Sequence, residues 1–201
     1  AKWFPEARLN FAENLLRRSD DAIALVARAE AAPRREVSWR ELAEQVSRVQ
    51  QWLRAVGVGA GDRVAGLLPN GPEAVVAMLA ATSVGALWSS CSPDFGTRGV
   101  LDRFGQIEPT VMFCCDGYRY AGKRHEVLAR AAEIRDALPS LRETVVVPNL
   151  DPHADLTLLP GARRWPELLD AHAPRALAFE RLPFAHPVYV LYSSGTTGIP
   201  K

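Results

Sequence analysis

The sequence predicts an α/β fold: alternating βα units with a largely parallel sheet covered by helices. Three observations carry that expectation. Short, almost wholly apolar runs, such as residues 63–68 and 110–115, recur between longer stretches of helical period. The runs are continuously apolar, as in strands buried on both faces, and do not alternate as half-buried strands do. Strand and helix patterns also succeed one another along the chain, the signature of crossovers between parallel strands.

Taken in order, residues 22–27 read as a short buried strand, and Glu36-Val37 pairs back on it across the loop at 29–35. Ser38 opens a helix, and Glu41 three residues on completes a capping box, in which hydroxyl and carboxylate each satisfy a free backbone N–H. Leu42, Val46, Val49, Trp52, Leu53 and Val56 recur at three and four and build one apolar stripe. Gly57 stops this helix. The run Gly57-Val58-Gly59-Ala60-Gly61-Asp62 follows a helix and precedes a strand, the reverse of a dinucleotide fingerprint, so it reads as a helix stop and a turn. Residues 63–68 form the next strand. Pro72 suits the first turn of a helix reaching about residue 84, because the N–H it lacks is not needed there. A strand at 87–91, a helix at 97–107 and a strand at 110–115 follow. A helix at 123–138 is closed by Pro139, and a strand spans 144–147. Residues 151–161 read as loop, 164–172 as a short helix and 188–192 as a last strand.

Composition excludes several classes. The 201 residues carry a formal net charge of +1, which gives no electrostatic case for nucleic acid or an anionic membrane surface. A hydrophobic fraction of 48% against 23% charged excludes a disordered chain. The start, Ala1 to Glu6, has no apolar core after a basic residue, so no secretory signal is expected. Residues 74–93 carry no charge, but Thr82, Ser83, Gly85, Ser89, Ser90 and Ser92 make them a buried helix and strand and not a membrane span. Cys91, Cys114 and Cys115 form no Cys-x-x-Cys pair and are odd in number, which fits reduced thiols of a cytoplasmic protein. Cys91 reads as a structural thiol, since no base is near it in sequence. The four histidines have no ligand spacing, and no metal site is expected. Asp94 and Phe95 are candidates to line a ligand cleft at a strand's carboxyl end.

The most informative segment is Tyr192-Ser193-Ser194-Gly195-Thr196-Thr197-Gly198-Ile199-Pro200-Lys201. Glycines let backbone N–H groups turn toward an anion. The hydroxyls of Ser193, Ser194, Thr196 and Thr197 and the ammonium of Lys201 add further donors, and together they suit a polyphosphate. A Gly/Ser linker is the plain alternative, but linkers rarely start on an apolar strand or end in a fixed Pro-Lys. The segment is not a Walker A loop, because no Gly-Lys-Ser/Thr occurs in it.

This segment resembles the signature phosphate loop of the adenylate-forming enzymes, the superfamily of acyl-CoA synthetases, firefly luciferase and non-ribosomal peptide adenylation domains. Val37-Ser38-Trp39-Arg40-Glu41-Leu42, Gly61-Asp62-Arg63-Val64-Ala65, Leu68-Pro69-Asn70 and Val84-Gly85-Ala86-Leu87-Trp88 are similar to further motifs of that family. The segment from Trp3-Phe4-Pro5-Glu6 to Asn14-Leu15-Leu16 resembles the start of short-chain acyl-CoA synthetases. Trp88-Ser89-Ser90-Cys91-Ser92-Pro93-Asp94-Phe95-Gly96 and Asp116-Gly117-Tyr118-Arg119-Tyr120 look most like the acetoacetate-activating branch.

The resemblance implies ATP, Mg²⁺ and coenzyme A as reactants, with a short-chain carboxylate, acetoacetate before acetate or propionate. It implies that Ser193, Ser194, Gly195, Thr196, Thr197, Gly198 and Lys201 hold the phosphates, with Thr196, Thr197 and Lys201 nearest the chemistry. It also implies a coenzyme A contact at Arg119 and Lys123, although the stretch is one residue longer than in relatives and has Lys123 where arginine is usual. The same stretch reads equally as a solvated basic helix start. On this resemblance, residues 1–201 are an N-terminal portion of the AMP-binding domain ending at the phosphate loop 192–201, the rest of that domain and a C-terminal domain lie beyond, and the portion is inactive alone. A non-catalytic nucleotide-binding module is the alternative of a different class.

Overall fold

The computed structural model describes residues 3–193 and Pro200. In chain order the elements are β1 (Arg8–Leu9), α1 (Phe11–Leu15), β2 (Ile23–Ala27), β3 (Arg35–Ser38), α2 (Trp39–Ala55), β4 (Arg63–Leu67), α3 (Pro72–Ser83), β5 (Leu87–Cys91), α4 (Thr97–Ile107), β6 (Val111–Cys115), β7 (Gly117–Tyr120), β8 (Lys123–Glu126), α5 (Leu128–Ala137), β9 (Glu143–Val147), β10 (Arg163–Arg164), α6 (Trp165–Asp170) and β11 (Leu182–Pro183). Five strands form one sheet in the order β10-β9-β6-β4-β5, and every pairing in it is parallel. The α/β architecture is therefore as the alternating pattern predicts.

The order explains the layers. The connection from β4 to β5 runs one way along the sheet, and those from β5 to β6 and on to β9 run the other. Right-handed crossovers then put α3 on one face and α4 and α5 on the opposite one. Helix α2 packs on α3 and α6, and α4 packs on α5. Phe113, in the middle of β6, meets Trp52 of α2 and Trp165 of α6 edge-on, at ring distances of 5.8 and 5.9 Å. Gly66 of β4 leaves room for the Trp88 indole, since a Cβ there would stand 2.6 Å from its ring.

Local signals behave as read. Ser38 accepts from the Glu41 N–H at 3.1 Å, and the Glu41 carboxylate accepts from the Ser38 N–H at 2.7 Å, closing the capping box of α2. Gly57 follows the helix at φ +82°. β2 and β3 pair antiparallel as read, but β2 is not the buried strand expected: Ile23 and Val26 are each half exposed, because the pair is a two-stranded ribbon outside the five-stranded sheet. The uncharged run at 74–93 is the body of α3 followed by β5. No helix among the described residues is long and apolar enough to cross a membrane. All three cysteines are buried and free.

Two further expectations are corrected. Residues 123–138 are not one helix: Lys123–Glu126 is strand β8, and the helix starts only at Leu128. Ala121 and Gly122 both have positive φ, +50° and +75°, the geometry of a two-residue hairpin turn that folds β8 back on β7. The basic stretch is thus a hairpin and not a helix start. Residues 188–192 make a single bridge, Tyr189 to Trp88, where a full strand was expected. They run parallel beside β5, with hydrogen bonds from Trp88 N–H to the Val188 carbonyl (3.0 Å) and from Val190 N–H to the Trp88 carbonyl (2.9 Å).

The approach to this last segment is secured by polar groups of α2. Residues 173–178 cross its surface, where Ser47 donates to the Arg175 carbonyl at 2.7 Å and Gln50 to the Ala178 carbonyl at 2.9 Å. The N-terminal segment is held by one buried side chain. Asn10 caps α1 through the Glu13 N–H and donates to the carbonyls of Thr82, Ser83 and Glu180 at 3.1, 3.1 and 2.9 Å.

Candidate active site

In a parallel sheet whose connections reverse direction, ligands bind outside the carboxyl ends of the strands near the reversal. A cleft with a volume of about 530 Å³ lies there. The exit of β4 contributes Leu68, Pro69 and Asn70, the exit of β5 contributes residues 90–94, and the hairpin after β6 contributes Tyr118 and Tyr120. Asp94 therefore lines the cleft as expected.

The exit of β6 is fixed by one carboxylate. Asp116 is buried and accepts from the backbone N–H groups of Asn149 (2.6 Å), Leu150 (3.0 Å) and Asp151 (2.7 Å). Its own N–H and carbonyl bond to Val147 and Val127. The charge serves to join β6, the hairpin and the loop after β9, and is not presented to a ligand.

Phe95 has a different place from Asp94. Arg130 of α5 donates to the carbonyls of Pro93 and Phe95 at 2.5 and 3.0 Å, which sets the turn after β5. The Phe95 ring then carries the Arg103 guanidinium 4.7 Å from its centroid, a cation–π contact. Cys91 sits at the end of β5, where burial pushes its thiol up to about 11 against a smaller opposing effect of Arg103. A thiol this reluctant to ionise is a poor nucleophile at neutral pH.

The segment at 188–192 delivers Tyr192 and Ser193 toward the same end of the sheet, because it runs parallel to β5. Ser89 of β5 donates to the Val190 carbonyl at 2.9 Å and steadies this approach. Tyr192 donates to the Arg103 carbonyl of α4 at 2.6 Å. Ser193 is exposed at the entry to the glycine-rich run. Ser194, Gly195, Thr196, Thr197, Gly198 and Lys201 lie outside the described residues, and Pro200 accepts from Gln106 of α4 at 2.8 Å.

The hairpin separates the two basic residues singled out in the sequence. Cross-strand partners share a face, so Tyr120 and Lys123 stand together with Tyr118 and His125, while Arg119 stands with Arg124 on the other face. Tyr118 and His125 stack with ring centroids 4.9 Å apart. Lys123 thus shares a face with the tyrosines that line the cleft, and Arg119 does not. Period-two alternation over Tyr118-Arg119-Tyr120 and the Ala-Gly turn were the signals that could have exposed the hairpin beforehand. Nothing in the sequence singled out Arg103 or Gln106.

Two other features are not part of this arrangement. An apolar cavity of about 340 Å³ lies at the amino end of β5, lined by Leu9, Phe11, Leu182, Phe184 and Val188 among others. Among the described residues no group of three or more His, Cys, Asp or Glu could hold a metal ion.

Comparison with known proteins agrees with this geometry. The family described as AMP-binding enzyme matches residues 11–201. The chain is 52% identical over 202 residues to an acetoacetyl-coenzyme A synthetase of Rhizobium meliloti, covering 100% of this chain and 31% of that protein. It is 45% identical over 208 residues to an acetoacetyl-CoA synthetase of Rattus norvegicus, with the same coverage. The solved acetoacetyl-CoA synthetase of Streptomyces lividans superposes with a TM-score of 0.92 at 48% identity, over 100% of this chain and 30% of that one. The chain thus spans about 31% of the length of the curated relatives it matches.

Proposed function

The chain belongs to the AMP-binding enzyme family, and on that premise we propose that it is the N-terminal portion of the adenylation domain of an ATP-dependent acetoacetate–CoA ligase working in the cytoplasm. In the first step an acetoacetate carboxylate oxygen bonds to the α-phosphorus of ATP, the bond from that phosphorus to the β-phosphate breaks, and pyrophosphate leaves. In the second step the sulfur of coenzyme A, having lost its proton, attacks the acyl carbon and AMP leaves.

The chain's own part is to hold the leaving pyrophosphate. The hydroxyls of Ser193, Ser194, Thr196 and Thr197, the amides of Gly195 and Gly198 and the Lys201 ammonium neutralise charge as the bond to the α-phosphorus breaks. Such chemistry depends mainly on positioning and electrostatics. Mg²⁺ bound to the triphosphate would supply further charge neutralisation there. Lys123, on the tyrosine-bearing face of the hairpin, is the residue we assign to a phosphate of coenzyme A, with Arg119 of the opposite face a secondary contact.

The observation that carries this reading is the delivery of Tyr192 and Ser193 alongside β5, toward the end of the sheet where the cleft lies. The identity to acetoacetyl-CoA synthetases along the whole chain favours acetoacetate over acetate or propionate. The test is carboxylate-dependent ATP–pyrophosphate exchange by the complete protein. Exchange is expected to be strongest with acetoacetate, and Lys201→Ala is expected to lower it by about two orders of magnitude, the scale for losing one charge-stabilising donor. Equal exchange with all three acids would remove the substrate assignment, and no exchange with any of them would remove the ligase reading.

A further inference from the structure

Both walls of the cleft lead back to helix α5. One wall is the β7–β8 hairpin with Tyr118 and Tyr120, and β8 runs into α5 through Val127. Val127 is buried, and its N–H donates to the Asp116 carbonyl at 2.9 Å, so hairpin and helix leave a fixed point. The other wall is the turn after β5, with Ser92, Pro93 and Asp94. Within this turn the Phe95 N–H donates to the Ser92 carbonyl at 3.2 Å. Its other holds come from the two helices beneath it. Arg130, in the first turn of α5, donates through one nitrogen, Nη1, to the carbonyls of Pro93 and Phe95 at 2.5 and 3.0 Å. Both protons of that nitrogen are then engaged. Glu133, three residues on and on the same face of α5, accepts from the Thr97 hydroxyl at 2.7 Å. From α4, the Arg103 guanidinium stands 4.7 Å from the Phe95 ring centre and 5.9 Å from that of Tyr192. Its Nη1 donates to the Gly99 carbonyl at 2.6 Å, which fixes the cation between the two rings.

We propose that Arg130 and Arg103 are positioning residues for coenzyme A, acting through the turn at 92–95. Neither arginine is among the residues that line the cleft, so they act on the separation of its walls. The hairpin and α5 are one covalent unit: it carries Lys123 and the tyrosines on one wall, and through Arg130 it grips the opposite wall. A ligand touching both walls binds best at one separation, and a displacement of about 1 Å in such a frame is costly. Acyl-adenylate formation does not use the thiol, so the effect belongs to the second step. The proposal rests on the reading of this cleft, through Lys123, as the coenzyme's place.

The test uses the complete protein with Arg130→Met and Arg103→Met, which keep much of the apolar stem and remove the guanidinium. KM for coenzyme A in thioester formation is expected to rise roughly three- to tenfold in Arg130→Met, the scale of a lost hydrogen bond. In Arg103→Met it is expected to rise roughly two- to fivefold, the scale of a cation–π contact. Where Arg130→Met does not fold, Arg103→Met carries the test, because the bonds to Pro93 and Phe95 remain. KM for Mg-ATP and for acetoacetate in ATP–pyrophosphate exchange, which needs no coenzyme, is expected to stay within about twofold. Arg130→Lys, which keeps a charged donor, is expected to lie nearer the wild type than Arg130→Met. An unchanged KM for coenzyme A in both Met variants, or a common rise of all three KM values with a fall in melting temperature, would overturn the proposal. If the wild-type protein forms no thioester with any carboxylate, the ligase reading fails separately. Amide hydrogen exchange over residues 92–97 then decides the hold on the turn: faster in the Met variants supports it, unchanged refutes it.

Discussion

Burial of single side chains sets the behaviour of the thiols in this chain. Cys114 and Cys115 end β6 inside the sheet, and burial raises both thiols, Cys115 to about 12 and Cys114 further still. The ordinary thiol value is 9.0. The folded state therefore keeps protons that the unfolded chain releases above about pH 9. The stability this represents is fully present below pH 9 and is lost as pH rises toward the folded values. The slope is about 1.4 kcal/mol per pH unit for each thiol. Urea denaturation between pH 8.5 and 10.5 is expected to show this fall, and Cys114→Ala/Cys115→Ala to flatten it. An equal slope in that variant would assign the fall to other groups. Asp116, next in the chain, accepts hydrogen bonds from three backbone N–H groups and so sets the geometry of the cleft wall.

At the scale of the element, the β7–β8 hairpin is the feature that changes a functional assignment. The resemblance assigned Arg119 and Lys123 together to a coenzyme A contact. In the hairpin they stand on opposite faces, and only Lys123 shares a face with the cleft tyrosines. Lys123→Ala is therefore expected to raise KM for coenzyme A by roughly three- to tenfold, and Arg119→Ala by less than about twofold, both by steady-state thioester formation in the complete protein. The reverse ranking would place the coenzyme on the outer face. The hairpin was hidden in the sequence because Lys123-Arg124-His125-Glu126 runs directly into residues of good helix propensity, and the pairing with β7 overrides that local preference. Helix α2 shows the same limit. Its apolar stripe was legible, but buried Ser47 and Gln50 had no visible partner, because the carbonyls they meet lie more than a hundred residues further on.

For the whole molecule, the uncovered apolar surface matters most. Leu191 is 79% exposed, Trp3 69% and Phe4 62%, and Phe184 packs on Phe4 at the surface with a ring distance of 5.1 Å. Large exposed apolar groups of this kind are exceptional on a folded surface when they are contiguous, as Phe4 and Phe184 are. These 201 residues are expected to bind a hydrophobic dye and to elute above their 22.0 kDa. A dye-silent, monodisperse 22.0 kDa species would show that this surface is tolerated in water.

Sequence by itself determined the fold class, the succession of strand and helix units and the capping box of α2, and it singled out the glycine-rich run that we propose as the phosphate site. These are local: a period, a cap or a donor pattern is complete within a dozen residues. Only the tertiary structure decided that β4, β5 and β6 open on one cleft, that Arg119 and Lys123 part company, and that α4 carries Gln106 and the Arg103 carbonyl to the two ends of that run. Each of these depends on which strands lie side by side and which helix packs over them, and such pairings join residues too far apart in sequence for any local pattern to record.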